Sequence, residues 1–129
     1  MGQKALWDYA EQGISFSAAS GRITVFKTTL EVLNYPKYFR FLYNPDEAQF
    51  AVQICNWNSP GVHRRPAEKV QDCLEIKCLQ LVRFVFKNCN WDPDYTYRIS
   101  GMYVPEQKLV VFDLRDFWRV KDGMLEPNE

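Results

Sequence analysis

Twice along the chain a run of strand-forming residues breaks at a proline-containing turn and then resumes. Tyr38 to Tyr43 leads into Asn44-Pro45-Asp46-Glu47, and Gln49 to Cys55 leads out. Asn at the first turn position and Pro at the second is the composition of a type I turn, because proline presets the φ that the second position needs. Tyr95 to Tyr103, Val104-Pro105-Glu106-Gln107-Lys108 and Leu109 to Leu114 repeat the arrangement. Short turns join antiparallel neighbours, so the two units commit the chain to a mostly antiparallel sheet.

A shift of sixty positions lays Pro45 on Pro105, Tyr43 on Tyr103 and Tyr35 on Tyr95, with Asp46 against Glu106 and Ala51-Val52 against Val111-Phe112. These matches raise an internal pseudo-repeat, which would make the chain a fused pseudo-dimer. Other strands read from alternation: Ile14 to Ser17, and Arg22 to Phe26 with its β-branched residues. Ala5 to Gln12 reads as a short helix ended by Gly13. A second short helix starts at Thr28 or Thr29, turns Leu30 and Leu33 inward, and stops before Pro36.

The longest expected element is a helix over about 67–87. Val70, Leu74, Cys78, Leu81 and Val85 recur at helical spacing, with Glu68, Lys69, Asp72, Glu75 and Lys87 on a wetter side. The expected fold class is therefore α+β: two strand–turn–strand units form the sheet, and this one dominant helix covers it. Residues 1–129 are expected as one domain, with sub-halves 1–55 and 67–120 joined by the loop 56–66. Asp113 to Val120 reads equally as strand or short helix. The polar tail, Lys121 to Glu129, is expected to fray.

Composition enters where it excludes. The chain has 129 residues, 47% of them hydrophobic, enough to bury a core. Sixteen basic residues balance sixteen acidic ones, so no global field draws the chain to nucleic acid or anionic membrane, and such binding needs a local patch. The most apolar window, Leu79 to Phe86, is interrupted by Arg83 and falls far short of the roughly 20 residues of a membrane span. With no export signal at Met1 to Gln12, Cys55, Cys73, Cys78 and Cys89 are expected reduced and partly buried, in the cytoplasm.

From Gly21 to about Cys55 the sequence resembles the AbrB/SpoVT/MazE swapped-hairpin family. The likeness is carried by Gly21-Arg22-Ile23-Thr24-Val25-Phe26-Lys27, a short helix ending at Leu33, and the strand–turn–strand that follows. The resemblance implies a dimeric regulator or antitoxin whose basic residues near the first strand and helix touch DNA. Arg22 and Lys27 match positions of that kind. Phe26 stands where the family commonly has proline, Asn34 where it has glycine, and Leu30 and Glu31 where DNA-binding members carry basic residues.

Among candidate sites, His63-Arg64-Arg65 is the densest positive cluster. Arg64 and Arg65 suit phosphate or carboxylate through bidentate contacts, against the plain alternative of a solvated loop. Trp57, Trp91 and Trp118 fall at loops or element ends, where tryptophan either anchors a protein interface or caps the core. Cys73 and Cys78, five apart on a helix, do not converge on a metal, so no metal and no cofactor are expected. His63 is the one histidine, expected to be depressed in pKa by its arginines, and Cys89 has no base beside it in sequence. Asp113 and Asp116 read as surface charges. No catalytic set is expected. Two functional readings stand: a non-enzymatic DNA-binding regulator using Arg22, Lys27, Arg64 and Arg65, or a protein-interaction or self-assembly module with no nucleic-acid role. The partners expected are DNA, a second copy of the chain or another protein, and no membrane.

Overall fold

The structure, a computed structural model, describes residues 12–66 and 73–127. In chain order these form β1 (Gly13–Ser17), β2 (Arg22–Val25), α1 (Lys27–Val32), β3 (Tyr38–Asn44), β4 (Gln49–Ile54), β5 (His63–Arg64), β6 (Leu74–Lys77), α2 (Leu79–Cys89), β7 (Thr96–Val104), β8 (Leu109–Lys121) and β9 (Met124–Pro127). The strands join in the order β5-β3-β4-β8-β7-β1-β2-β6, and β9 adds to β8. The described pairings are antiparallel, and the sheet curls into a half-barrel.

Alternation sets what lies inside the curl. Ile14 and Phe16, Ile23 and Val25, Phe50 and Val52, and Val110 and Phe112 point into one core, all fully buried. Burying a phenylalanine side chain contributes about 1.5–3 kcal/mol, and Phe16, Phe39, Phe50 and Phe112 are the largest fully buried side chains. Phe16 meets Phe50 edge-on with centroids 5.0 Å apart. Helix α2 adds Val82, Val85 and Phe86, which share one helical face. Lys87 lies in its last turn, where a cation complements the helix dipole, and Asn90 ends it at φ 57.

The expected dominant helix over 67–87 is corrected. Leu74 to Lys77 is strand β6, paired to β2 with Ile76 opposite Ile23, and the helix begins only at Leu79. The spacing of Leu74, Cys78, Leu81 and Val85 imitates one helix while crossing a strand–helix junction. Within Leu74-Glu75-Ile76-Lys77 the true period is two, and β2 needs a partner for its open edge. Instead of lying under a helix, the sheet covers itself by curling. The rest of that expected helix, 67–72, and the expected helix at 5–12 lie outside the described residues, apart from Gln12, which is not helical. Asp113 to Val120 is strand, and the tail turns back at Asp122-Gly123 to form β9. The 56–66 loop contains the short strand β5. No helix among the described residues is long and apolar enough to cross a membrane.

The hairpins β3–β4 and β7–β8 match in detail at a shift of sixty. Ala48 and Lys108 both adopt positive φ, 52° and 56°. The Ala48 N–H donates to the Pro45 carbonyl at 3.3 Å, and the Lys108 N–H to the Pro105 carbonyl at 3.1 Å. Bonds between the hairpins are reciprocal: Leu114 N–H to Ala48 O and Ile54 N–H to Lys108 O, each 2.9 Å. The helix ends do not follow this shift: Asn34 lies one residue beyond the Leu33 cap of α1 and Asn90 itself caps α2, though both have positive φ, 60° and 57°.

One irregularity sets up the outer surface. Ile99 pairs with Phe117, but Gly101 pairs with Phe112, so residues 113–116 stand against Ser100 alone. Three extra residues are an odd number, so β8 changes phase. Before the bulge Val110 and Phe112 point inward and within it Leu114 is buried; after it Phe117 packs on Tyr97 at 5.0 Å, and Trp118 turns outward.

Candidate nucleic-acid interface

Directly paired residues of an antiparallel ladder share a face, so the register assembles a surface across β6-β2-β1-β7-β8. One row reads Lys77, Arg22, Ser17, Thr96 and Val120. The next outward row, two residues along, reads Glu75, Thr24, Ser15, Arg98 and Trp118. Between them Ile76, Ile23, Phe16 and Tyr97 point the other way. The outer surface thus carries three cations, one carboxylate, four hydroxyls and a tryptophan that is 47% exposed.

Each cation is held differently. Arg22 reaches Glu75 through Nη1 at 3.4 Å, but both side chains are about half exposed, and such pairs contribute at most ~1 kcal/mol. A phosphate can displace that partner. Arg98 lies over the Phe26 ring, 5.0 Å from its centroid, a cation–π contact that fixes the guanidinium on the surface. The Phe26 ring in turn covers Gly13, where an added Cβ would lie 2.5 Å from the ring. Lys77 stands directly opposite Arg22. Lys27 follows Phe26 and lies 4.0 Å from Glu31 one helical turn on.

Of the residues singled out from sequence, Arg22 is on this face and Lys27 is beside Phe26 at its margin. Arg64 and Arg65 are not on it. Arg64 lies on β5, opposite Tyr38, at the other end of the strand order. Arg65 braces the chain instead: its Nη2 donates to the Tyr35 carbonyl at 2.9 Å and its Nε to the Pro36 carbonyl at 3.1 Å. Trp57 is 71% exposed, near the opposite edge. Trp91 is 7% exposed and belongs to the core, stacked on Tyr97 with centroids 4.2 Å apart and edge-on to Phe86. Sequence reasoning missed Lys77, Arg98 and the hydroxyl set, because they come from four strands separated along the chain. The alternation Ser15/Ser17 and Glu75/Lys77 was the available signal.

The chain's one histidine lies away from this surface, on β5. His63 packs on Phe39 and Phe41, with centroids 5.5 and 5.0 Å away, and burial lowers its pKa; desolvation, rather than the neighbouring arginines, is the cause. Burial pushes the Cys89 thiol up, the reverse of what a thiolate nucleophile needs. Cys89 lines a cavity of about 480 Å³ with Asn88, Trp91 and Tyr43, whose hydroxyl accepts from Asn88 at 3.2 Å and is raised in pKa by burial. The four cysteines are free, Cys73 exposed and the others half-buried. Among the described residues no three His, Cys, Asp or Glu side chains converge as a metal site would require.

On the outer face of the other sheet half, register sets Leu42, Ala51, Val111 and Met102 in a line across β3-β4-β8-β7. Met102 is 65% exposed, beside a cavity of about 370 Å³ lined by Leu42, Ala51, Val104, Leu109 and Val111. Compared with known proteins, the chain matches no family model, no curated protein and no solved structure.

Proposed function

We propose that the chain is a non-enzymatic, AbrB-like DNA-binding regulator that contacts nucleic acid through the outer face of β6-β2-β1-β7-β8. The observation that carries the reading is the grouping of Arg22, Lys77, Arg98 and Trp118 on one surface with Ser15, Ser17, Thr24 and Thr96 between them. Arginine, lysine and hydroxyl side chains are the groups that hold phosphate and sugar, and a basic patch supplies locally what a net charge of zero does not. The likeness to swapped-hairpin proteins adds support: β2, α1 and the β3–β4 hairpin follow in the family's order, and Asn34, where the family has glycine, has the positive φ that glycine favours. The four free thiols suit a reducing compartment, and the reading takes the cytoplasm as the setting.

The test is binding of the full chain to labelled DNA at low and moderate salt. Affinity is expected to fall steeply as salt rises, and Arg22→Ala, Lys77→Ala and Arg98→Ala each to reduce the salt slope by roughly one. Absence of binding at low salt sinks the reading. A second reading, self-assembly, is favoured by the apolar line whose two ends, Leu42 and Met102, are exposed. It predicts a dimer by light scattering that Met102→Asp dissociates.

A further inference from the structure

Duplex and single-stranded nucleic acid place different demands on this face, and the geometry of the sheet discriminates between them. Duplex DNA is read by inserting an element into a major groove about 12 Å wide, which admits a helix or a two-stranded ribbon. The surface bearing Lys77, Arg22, Arg98 and Trp118 is five strands across, roughly 19 Å at the spacing of neighbouring strands. It is too broad to enter the groove. It is also the outer side of the curl, since Phe16, Ile23 and Tyr97 of the same strands fill the inside. A convex sheet against a convex rod meets along a narrow strip, so a duplex engages fewer of its cations at once than a flexible strand does.

A single strand presents no such obstacle, because backbone and bases can lie along the sheet. The face is polarised for it. Arg22 and Lys77 stand together at one end, Arg98 is next to Trp118 at the other, and the hydroxyls of Ser17, Thr96, Thr24 and Ser15 lie between. Trp118 offers an exposed ring on which a base can stack, and stacking is available to an unpaired base but not to one inside a duplex. The β8 bulge is what turns this ring outward, and it brings Trp118 opposite Arg98. Arg98, held over the Phe26 ring at 5.0 Å, lies beside Trp118.

Resting on the nucleic-acid reading, we propose that this face takes single-stranded nucleic acid, with a base stacked on Trp118 and the backbone crossing to Arg22 and Lys77. The test uses the full chain and fluorescence anisotropy at about 50 mM salt, with labelled oligothymidylate, oligouridylate and a duplex, each about a dozen nucleotides long. One or both single strands are expected to bind at least about tenfold tighter than the duplex, and the two arms separate DNA from RNA as the source of the strand. Trp118→Ala is expected to weaken single-strand binding about tenfold or more while leaving duplex binding unchanged, and Trp118→Phe to retain most of it. Arg98→Gln, which removes the charge without opening the core, gives a second route to the same difference. Duplex bound as tightly as the single strands, or Trp118→Ala weakening both alike, overturns the single-strand proposal and leaves the nucleic-acid reading standing. No binding to any of the three overturns the nucleic-acid reading itself.

Discussion

Ala51 of β4 and Val111 of β8 face each other directly across the ladder that joins the two hairpins, and the sixty-residue shift that lays one hairpin on the other carries Ala51 onto Val111. Their ladder runs from Gln49↔Asp113 to Gln53↔Leu109, so this pair is its centre. Equivalent strands that pair antiparallel about equivalent residues have the arrangement of a local two-fold axis. The reciprocal Leu114–Ala48 and Ile54–Lys108 hydrogen bonds follow the same relation.

The matched turns carry a matched strain. Ala48 and Lys108 have positive φ, which costs an L-residue about 1–2 kcal/mol and glycine little. Ala48→Gly and Lys108→Gly are each expected to raise stability by about 0.5–1 kcal/mol in urea denaturation, the gain being reduced by glycine's larger unfolded-state entropy. Unequal signs at the two positions would break the equivalence of the turns.

Thr29 ties α1 to β1 from a fully buried position. Its Oγ1 accepts from the Gly13 N–H and donates to the Gly13 carbonyl, both at 2.8 Å. The carbonyl keeps a second donor in the Phe26 N–H at 3.1 Å, whereas the Gly13 N–H would be left unsatisfied. Thr29→Val is therefore expected to cost about 1–3 kcal/mol. Thr29→Ser, which keeps the hydroxyl, should recover most of this in the same denaturation series.

Gly13 also determines where Phe26 lies. An added Cβ would meet the Phe26 ring at 2.5 Å, and the ring is the support beneath Arg98. Gly13→Ala is expected to displace the ring and weaken nucleic-acid binding about as much as Arg98→Ala does. A Gly13→Ala/Arg98→Ala double variant should then be little worse than either single one, which a double-mutant cycle measures.

His63 makes stability depend on pH. Burial lowers its folded pKa below 6.5, so the unfolded chain binds the proton more readily. Its contribution is fully present above pH 6.5 and is lost as pH falls below 6.5 through the lowered folded value. Thermal denaturation from pH 7.5 down to 5 is expected to show a loss that is reduced in His63→Phe. A profile unchanged by that substitution assigns the acid sensitivity elsewhere.

Arg64 and Arg65, adjacent in sequence, are expected to separate in experiment. Arg65→Ala removes two hydrogen bonds to the Tyr35 and Pro36 carbonyls and should cost about 1–2 kcal/mol of stability. Arg64→Ala, an exposed change on β5, should leave stability within about 0.5 kcal/mol. Neither is expected to change nucleic-acid affinity, since neither lies on the face.

Sequence by itself determined the features whose cause is local. The proline turns at Pro45 and Pro105 and the alternation of Phe39 and Phe41, or Val110 and Phe112, depend on residues a few positions apart, so the two hairpins were legible. Arg22 was legible too, as a basic residue on a strand. Tertiary structure decided the rest. Whether Leu74 to Lys77 would be helix or strand depended on β2 offering an edge to pair with, 49 to 55 residues away, and apolar spacing across a strand–helix junction mimics a single helix. Trp91 entered the core because Asn90 turns the chain back onto Phe86, a step that residue type alone does not announce. The basic outer face required β6, β2, β1, β7 and β8 to be laid side by side and β8 to change phase at its bulge. A surface collected from distant segments exists only once the register is set, because register, not sequence proximity, decides which side chains share a face.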